Sequence, residues 1–115
     1  MGSLADKHCV PCQGGVPRLK GAETGPLLAQ LEGWRVEEEH HLSKEYKFSN
    51  FADALRFVNG VGEVAEAEGH HPDIEFGWGY ARLKIYTHAI DGLSESDFIL
   101  AARIDAGRPP REQED

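Results

Sequence analysis

The 115-residue chain is poor in several things, and each shortage removes a class of protein. Cysteine occurs twice, as Cys9 and Cys12, so no disulfide framework staples the chain, and a cytoplasmic setting is expected. The longest apolar run, Phe98-Ile99-Leu100-Ala101-Ala102, falls far short of the ~20 residues that span a bilayer. No charged-then-apolar leader is expected at the N-terminus, and Asp6 stands where a myristoylation motif needs Ser or Thr. Membrane attachment is therefore not expected. Basic residues are scarce: 12 Lys and Arg against 20 Asp and Glu leave a net charge of −8. Such a balance argues against nucleic-acid binding, which needs cations to displace phosphate counterions. Neither a phosphate-cradling Gly-rich loop nor a dinucleotide fingerprint occurs, so nucleotide chemistry has no support.

What remains is ordinary globular composition, enough for one small domain. Residues 1–20, with Pro11, Gly14-Gly15 and Pro17, read as an extended arm. Residues 107–115 read as a flexible polar tail, leaving the packed domain at residues 21–106. Leu27, Leu28 and Leu31 mark a short helix, with Pro26 in its first turn and Gly33 near its end. Trp34 to Val36 and Lys44 to Phe48 read as a hairpin turning near Glu39 to His41. From Asn50 to Glu68 the pattern is helical, with Phe51, Leu55, Val58, Gly62 and Ala65 on one stripe, widened by Ala54, Val61 and Val64. Asn50 caps its start, Asp53 stands at the capping-box position and Gly69 stops the helix. Ile74 to Trp78 and Ala81 to Thr87 alternate as a second hairpin turning at residues 77–80. Ser94 to Asp97 is a capping box opening a last helix, with Leu93 and Phe98 as its hydrophobic staple. The order α-ββ-α-ββ-α predicts an α+β fold, an antiparallel four-stranded sheet with about three helices on one face.

Histidine is where chemistry is concentrated. His70-His71 follow the long helix, Glu66 lies one turn before them, and His88 ends the last strand. Imidazole gives and takes protons near neutrality, and two such rings across a cleft make an acid/base pair. The same residues are compatible with blander roles. His-His-Pro can be a solvated helix stop, capping alone accounts for Asp97, and Trp78 suits a core or an interface. His40-His41 read as solvated turn residues. Three imidazoles could also hold zinc, although neighbours on an extended stretch point apart. His8, Cys9 and Cys12 supply only half of a closed metal site.

Taken together, Glu66-x-x-x-His70-His71-Pro72, Trp78, Thr87-His88 and Gly92-Leu93-Ser94-Glu95-Ser96-Asp97 resemble the signature of the pterin-4a-carbinolamine dehydratases. The similarity runs from about Gly21 to Asp105, and the Cys9 to Pro17 arm looks like that of bacterial members. Gly69 departs from the pattern, since many relatives carry Asp there. The resemblance implies dehydration of 4a-hydroxytetrahydrobiopterin to quinonoid dihydropterin and water in tetrahydropterin recycling, without metal or redox cofactor. It implies a catalytic set of His70, His71, His88 and Glu66, with His70 and His88 as acid and base and His71 positioning substrate. Trp78 would wall the pocket, and Asp73, Thr87 and Asp97 would complete the substrate-binding set, Asp97 also capping its helix. It further implies homodimers or homotetramers, and an aromatic amino acid hydroxylase in the same pathway. The same fold serves some relatives as a non-catalytic binding module, either a transcriptional coactivator or an enzyme-assembly factor.

Overall fold

The computed structural model describes residues 4–9 and 17–107. Three helices and four strands follow one another as α1 (Gly21–Leu28), β1 (Arg35–Glu37), β2 (His41–Lys47), α2 (Phe51–Glu68), β3 (Asp73–Gly77), β4 (Tyr80–Ile85) and α3 (Glu95–Ala106). The strands form one antiparallel sheet in the order β1-β2-β4-β3. This is the α+β arrangement expected from the sequence.

Register decides which side chains reach the core. Leu42 pairs with Ile85, Tyr46 with Ala81, and Ile74 with Leu83, which puts these residues on the helix-covered face. Leu42, Ala81, Leu83 and Ile85 are fully buried there, together with Phe98, Leu100 and Ala101 of α3. Each large apolar side chain so buried contributes about 1.5–3 kcal/mol. The opposite face is polar: Arg82 lies over the Tyr80 ring at 4.6 Å and pairs with Glu75 at 3.1 Å. Arg82 and Lys84 are thus part of an exposed mixed-charge face.

Lys44 belongs to the inner face, opposite Leu83. Its ammonium meets Asp105 Oδ2 at 3.0 Å, the acceptor that also takes the Trp34 indole N–H at 2.8 Å. The Tyr46 hydroxyl donates to the other Asp105 oxygen at 2.6 Å. A charge-assisted cluster therefore ties α3 to β2 at the end of the molecule where α3 stops.

Three local expectations are corrected. α1 begins at Gly21, because the Glu23 carboxylate accepts the Lys20 N–H and sets the first turn there. Pro26 consequently sits inside the helix, which ends two residues later and leaves Leu31 beyond it. In α2 the Asn50 cap forms as read, but Asp53 pairs with Arg56 instead of completing a box. The buried stripe of α2 is Ala54, Phe57, Val61 and Ala65, whereas Phe51 is 44% and Leu55 39% exposed. Phe57 selects that face by packing on Tyr46 and Phe48, with ring centroids 4.4 and 5.2 Å away. Lastly, β4 ends at Ile85, earlier than expected, and a 3-10 turn over His88–Ile90 follows it.

The N-terminal arm is packed where it is described. Leu4 is buried in the core, and the Arg103 guanidinium donates to the carbonyls of Ala5 and Lys7. Glu68, at the end of α2, accepts the Cys9 N–H at 2.8 Å and faces His8 and Arg103, each at 3.1 Å. Cys9 is a free thiol whose sulfur points at Ser96 O, and burial with the nearby Glu68 carboxylate pushes its pKa up to about 12. Its expected companion Cys12 lies outside the described residues.

The Cys9 hydrogen bond, reinforced by His8 and Arg103, holds the Glu68 carboxyl below its usual range. A depressed carboxylate pKa adds stability above the unfolded value, and that stability is lost as pH falls through the folded one. Hydrogen exchange should therefore show Cys9 losing protection, corrected for intrinsic rates, as pH drops below the ordinary glutamate range. Glu68→Gln should show the same loss at neutral pH. Cys9 protection that stays constant with pH until the whole fold is lost in acid would contradict this anchoring.

Candidate active site

The site is assembled by three chain reversals. At the end of α2, Gly69 adopts a left-handed φ of 66°, and the His70 N–H returns to Ala65 O at 3.2 Å. This Schellman-type closure stops the helix and sends the next two side chains apart. Half-buried His70 turns inward, its Nε2 2.6 Å from Asp97 Oδ1. Exposed His71 turns outward, its Nε2 2.7 Å from Glu66 Oε2. Glu66 thus serves His71 and not the His70 it precedes by one turn.

At the start of α3, the Asp97 carboxylate reaches back to the Ser94 N–H at 2.8 Å, as the capping pattern predicts. It also accepts the Thr87 hydroxyl at 2.9 Å, and Thr87 in turn lies 2.8 Å from the Ser94 hydroxyl. Asp97 is 0% exposed. A carboxylate removed from water this completely is tolerable only because three donors saturate it. Capping and histidine orientation are two jobs of one residue, so the reading of Asp97 as a cap alone is too narrow.

The third reversal presents His88. Thr87 N–H bonds Gly92 O at 2.8 Å and Gly92 N–H returns to Thr87 O, closing a short loop around the 3-10 turn. His88 is carried by this turn rather than by the strand itself, and its ring lies parallel to Tyr86 at 4.2 Å. Neither ring nitrogen of His88 has a hydrogen bond to a described residue.

Between these segments opens a cavity of about 420 Å³, lined by His70, His71, Asp73, Tyr86, Thr87 and His88, with Pro72 and Ala89 at its edge. His70 and His71 from the end of α2 and His88 from the turn after β4 thus border one hollow. His70 bonds Asp97 through Nε2, so Nδ1 is the atom left to exchange a proton. Among the described residues, no group of three or more His, Cys, Asp and Glu is arranged to hold a metal ion. Imidazoles bordering a cavity are able to donate and accept protons.

Comparison with known proteins bears on this arrangement. The sequence profile of the Pterin 4 alpha carbinolamine dehydratase family matches residues 17–107. The chain belongs to that family. A protein of Rubrobacter xylanophilus, provisionally named pterin-4-alpha-carbinolamine dehydratase, is 59% identical over 105 residues, covering 91% of this chain and 98% of its own. One of the same provisional name from Alkaliphilus metalliredigens is 49% identical over 106 residues, with 91% and 96% coverage. The crystal structure of a transcriptional coactivator/pterin dehydratase from Brucella melitensis superposes with a TM-score of 0.74 at 26% identity, covering 81% of this chain and all of that one. A pterin dehydratase-like protein identified as a RuBisCO assembly factor in the alpha-carboxysome gives 0.57 at 28% identity, with 66% and 89% coverage.

Within this dehydratase-family fold, the residues named from sequence fall into three groups. His70, His71, Asp73, Thr87 and His88 line the cavity, and Glu66 and Asp97 hold two of the imidazoles from behind. Trp78 stands apart: it occupies the two-residue turn between β3 and β4, 71% exposed, and does not line this cavity. The turn falls there because Gly79 takes a left-handed φ of 86°, leaving Trp78 no strand position from which to face the histidines. Sequence reasoning missed Tyr86, which the alternation places on the polar side of β4. Its position next to Thr87-His88 is the one signal that marks it. It also took His40 as solvated, whereas His40 packs on Tyr86 and bonds Asp91.

Asp97→Ala should destabilise the fold by about 2–4 kcal/mol in urea titrations, since Thr87, Ser94 and His70 lose a buried acceptor together. In wild type, nitrogen-detected histidine spectra should place the proton of neutral His70 on Nε2. A wild-type His70 protonated on Nδ1 would contradict the geometry.

Proposed function

We propose that this chain dehydrates 4a-hydroxytetrahydropterins, 4a-hydroxytetrahydrobiopterin being the type substrate, to quinonoid dihydropterin and water. The convergence of His70, His71 and His88 on one cavity carries the reading, and family membership supports it. In the reaction the C4a–O bond breaks, the N5 lone pair becomes the N5–C4a double bond, and N5 gives up its proton. The departing hydroxyl takes a proton and leaves as water. Hydroxide is a poor leaving group, so an imidazolium at the 4a oxygen lowers the barrier while a neutral imidazole accepts the N5 proton. Each such group contributes about 10²–10⁴ in rate. His70, held by Asp97 with Nδ1 free, and His88, on the turn across the cavity, fill these two roles. His71, anchored by Glu66, positions the ring, and Asp73 and Thr87 border the place it occupies. One proton enters and one leaves, so the pair is reset by exchange with water, and the residues' chemistry calls on no electron acceptor.

Stopped-flow absorbance of freshly generated 4a-carbinolamine tests this. Wild type should accelerate dehydration, and a His70→Ala/His88→Ala double variant should lose about 10²-fold or more of that acceleration. Wild type that leaves the spontaneous rate unchanged would refute the assignment. The binding-module reading would then gain, in line with the assembly-factor and coactivator neighbours.

We also propose that the chain self-associates. Among the described residues β3 is a sheet edge, paired on one side only, and Ile74, Trp78, Phe51 and Leu55 add exposed apolar surface. An edge strand with that much apolar surface invites a second copy. Light scattering on the eluting protein should give a dimer or tetramer mass, and Ile74→Lys with Trp78→Lys should lower it. A monomer at tens of micromolar wild type would refute self-association.

A further inference from the structure

The three imidazoles of the cavity are not held alike. His70 and His71 each lean on a carboxylate, while the His88 ring has no hydrogen bond to any described residue. Its ring is fixed instead by a run of aromatic rings behind the cavity. His88 lies on Tyr86 with centroids 4.2 Å apart and planes 9° apart. Tyr86 in turn packs on His40 at 4.4 Å and 41°. His40, from the turn between β1 and β2, bonds through Nε2 to Asp91 Oδ1 at 2.8 Å, and its Nδ1 lies 3.1 Å from Nδ1 of His41.

Asp91 is the residue that ends the 3-10 turn beginning at His88, and it sits there at a left-handed φ of 50°. The turn is therefore gripped at both ends by the same column, at the His88 ring through Tyr86 and at Asp91 through His40. Arg18 adds a third hold, donating to Ile90 O at 2.8 Å and lying so close over Gly92 that a Cβ there would come within 2.6 Å of its Cδ. The His40 hydrogen bond keeps the Asp91 carboxyl below its usual range.

We propose that Tyr86 and His40 are positioning residues for His88, a stacked clamp that fixes the third imidazole of the reaction. The inference rests on the dehydratase reading, because it assigns His88 something to be positioned for. A ring without a hydrogen-bonding partner rotates about its side-chain bonds, and offset stacking on a flat phenol removes that freedom without consuming either nitrogen. Both nitrogens of His88 stay available for proton transfer, which a carboxylate partner would not allow. Misplacing a reacting group by about 1 Å can cost on the order of 10²-fold in rate, so a loosened His88 should be visible in turnover.

The test uses the full chain with labelled histidine and two readouts. Ring-proton shifts of His88 report the stack without substrate, and stopped-flow dehydration reports its purpose. Tyr86→Ala should abolish the upfield shift of the His88 ring protons and lower kcat by about tenfold, with KM changed less than about twofold. Tyr86→Phe should restore the shift and most of the lost rate, because the stack needs the ring and not the hydroxyl. His40→Ala, outside the cavity lining, should move both readouts in the same direction by a smaller factor. The clamp is overturned if Tyr86→Ala turns over within twofold of wild type, if Tyr86→Phe is no better than Tyr86→Ala, or if only KM changes. Inactive wild type overturns the dehydratase reading and the clamp's purpose with it, whereas active wild type beside an unaffected Tyr86→Ala overturns the clamp alone.

Discussion

A carboxylate without any contact with water is the point on which this structure turns. Asp97 sits where three segments meet: the first turn of α3, the extended stretch after α2, and the loop after β4. Each segment supplies one donor, through Ser94, His70 and Thr87 respectively. None of these bonds is optional, because an ionised group in a low-dielectric interior is costly unless its lone pairs are occupied. The requirement works in reverse as well. To satisfy Asp97, the chain must bring His70 and the Thr87-His88 corner to the same place, and that act creates the cavity.

Around that point the site distributes its rigidity by different means. His70 is held by a buried carboxylate, His71 by an exposed one, and His88 by aromatic stacking. The exposed Glu66 pair is weak by nature, since water and salt screen it, whereas the Asp97 contact is shielded. His71 is thus held less firmly than His70 and suits a role against a ligand that comes and goes. At the far end of α3, Asp105 gathers Trp34, Lys44 and Tyr46, so the helix is fastened to its surroundings by an acidic side chain at each end. Part of the chain's acidic excess is structural. The family resemblance in fold extends to neighbours described as a coactivator and an assembly factor, so the scaffold alone does not decide activity.

Much of this was legible in one dimension. Hydrophobic alternation located both hairpins, the Asn50 and Gly69 signals bounded α2, and the Ser94–Asp97 box opened α3, because caps and turns are local transactions between a side chain and nearby backbone. The spacing of Glu66, His70, His71 and His88 identified the family and the rings that share the hollow. Less legible was anything that depends on rotation or on partners far along the chain. The buried stripe of α2 is set by Phe57 meeting Tyr46 and Phe48, and a helical pattern with apolar residues on several sides leaves that phase undetermined.

The sequence by itself determined the element order, the ends of α2 and the start of α3, the polar and apolar faces of the sheet and the residues able to carry protons. Tertiary structure alone decided that Glu66 holds His71 and not His70, that Trp78 stands away from the cavity, and that Tyr86, His40 and Asp91 back His88. The physical reason is range. Capping, turn formation and side-chain alternation act over a few residues, whereas a hydrogen bond or a ring stack between distant segments exists only after the sheet register and helix packing have fixed where each segment lies.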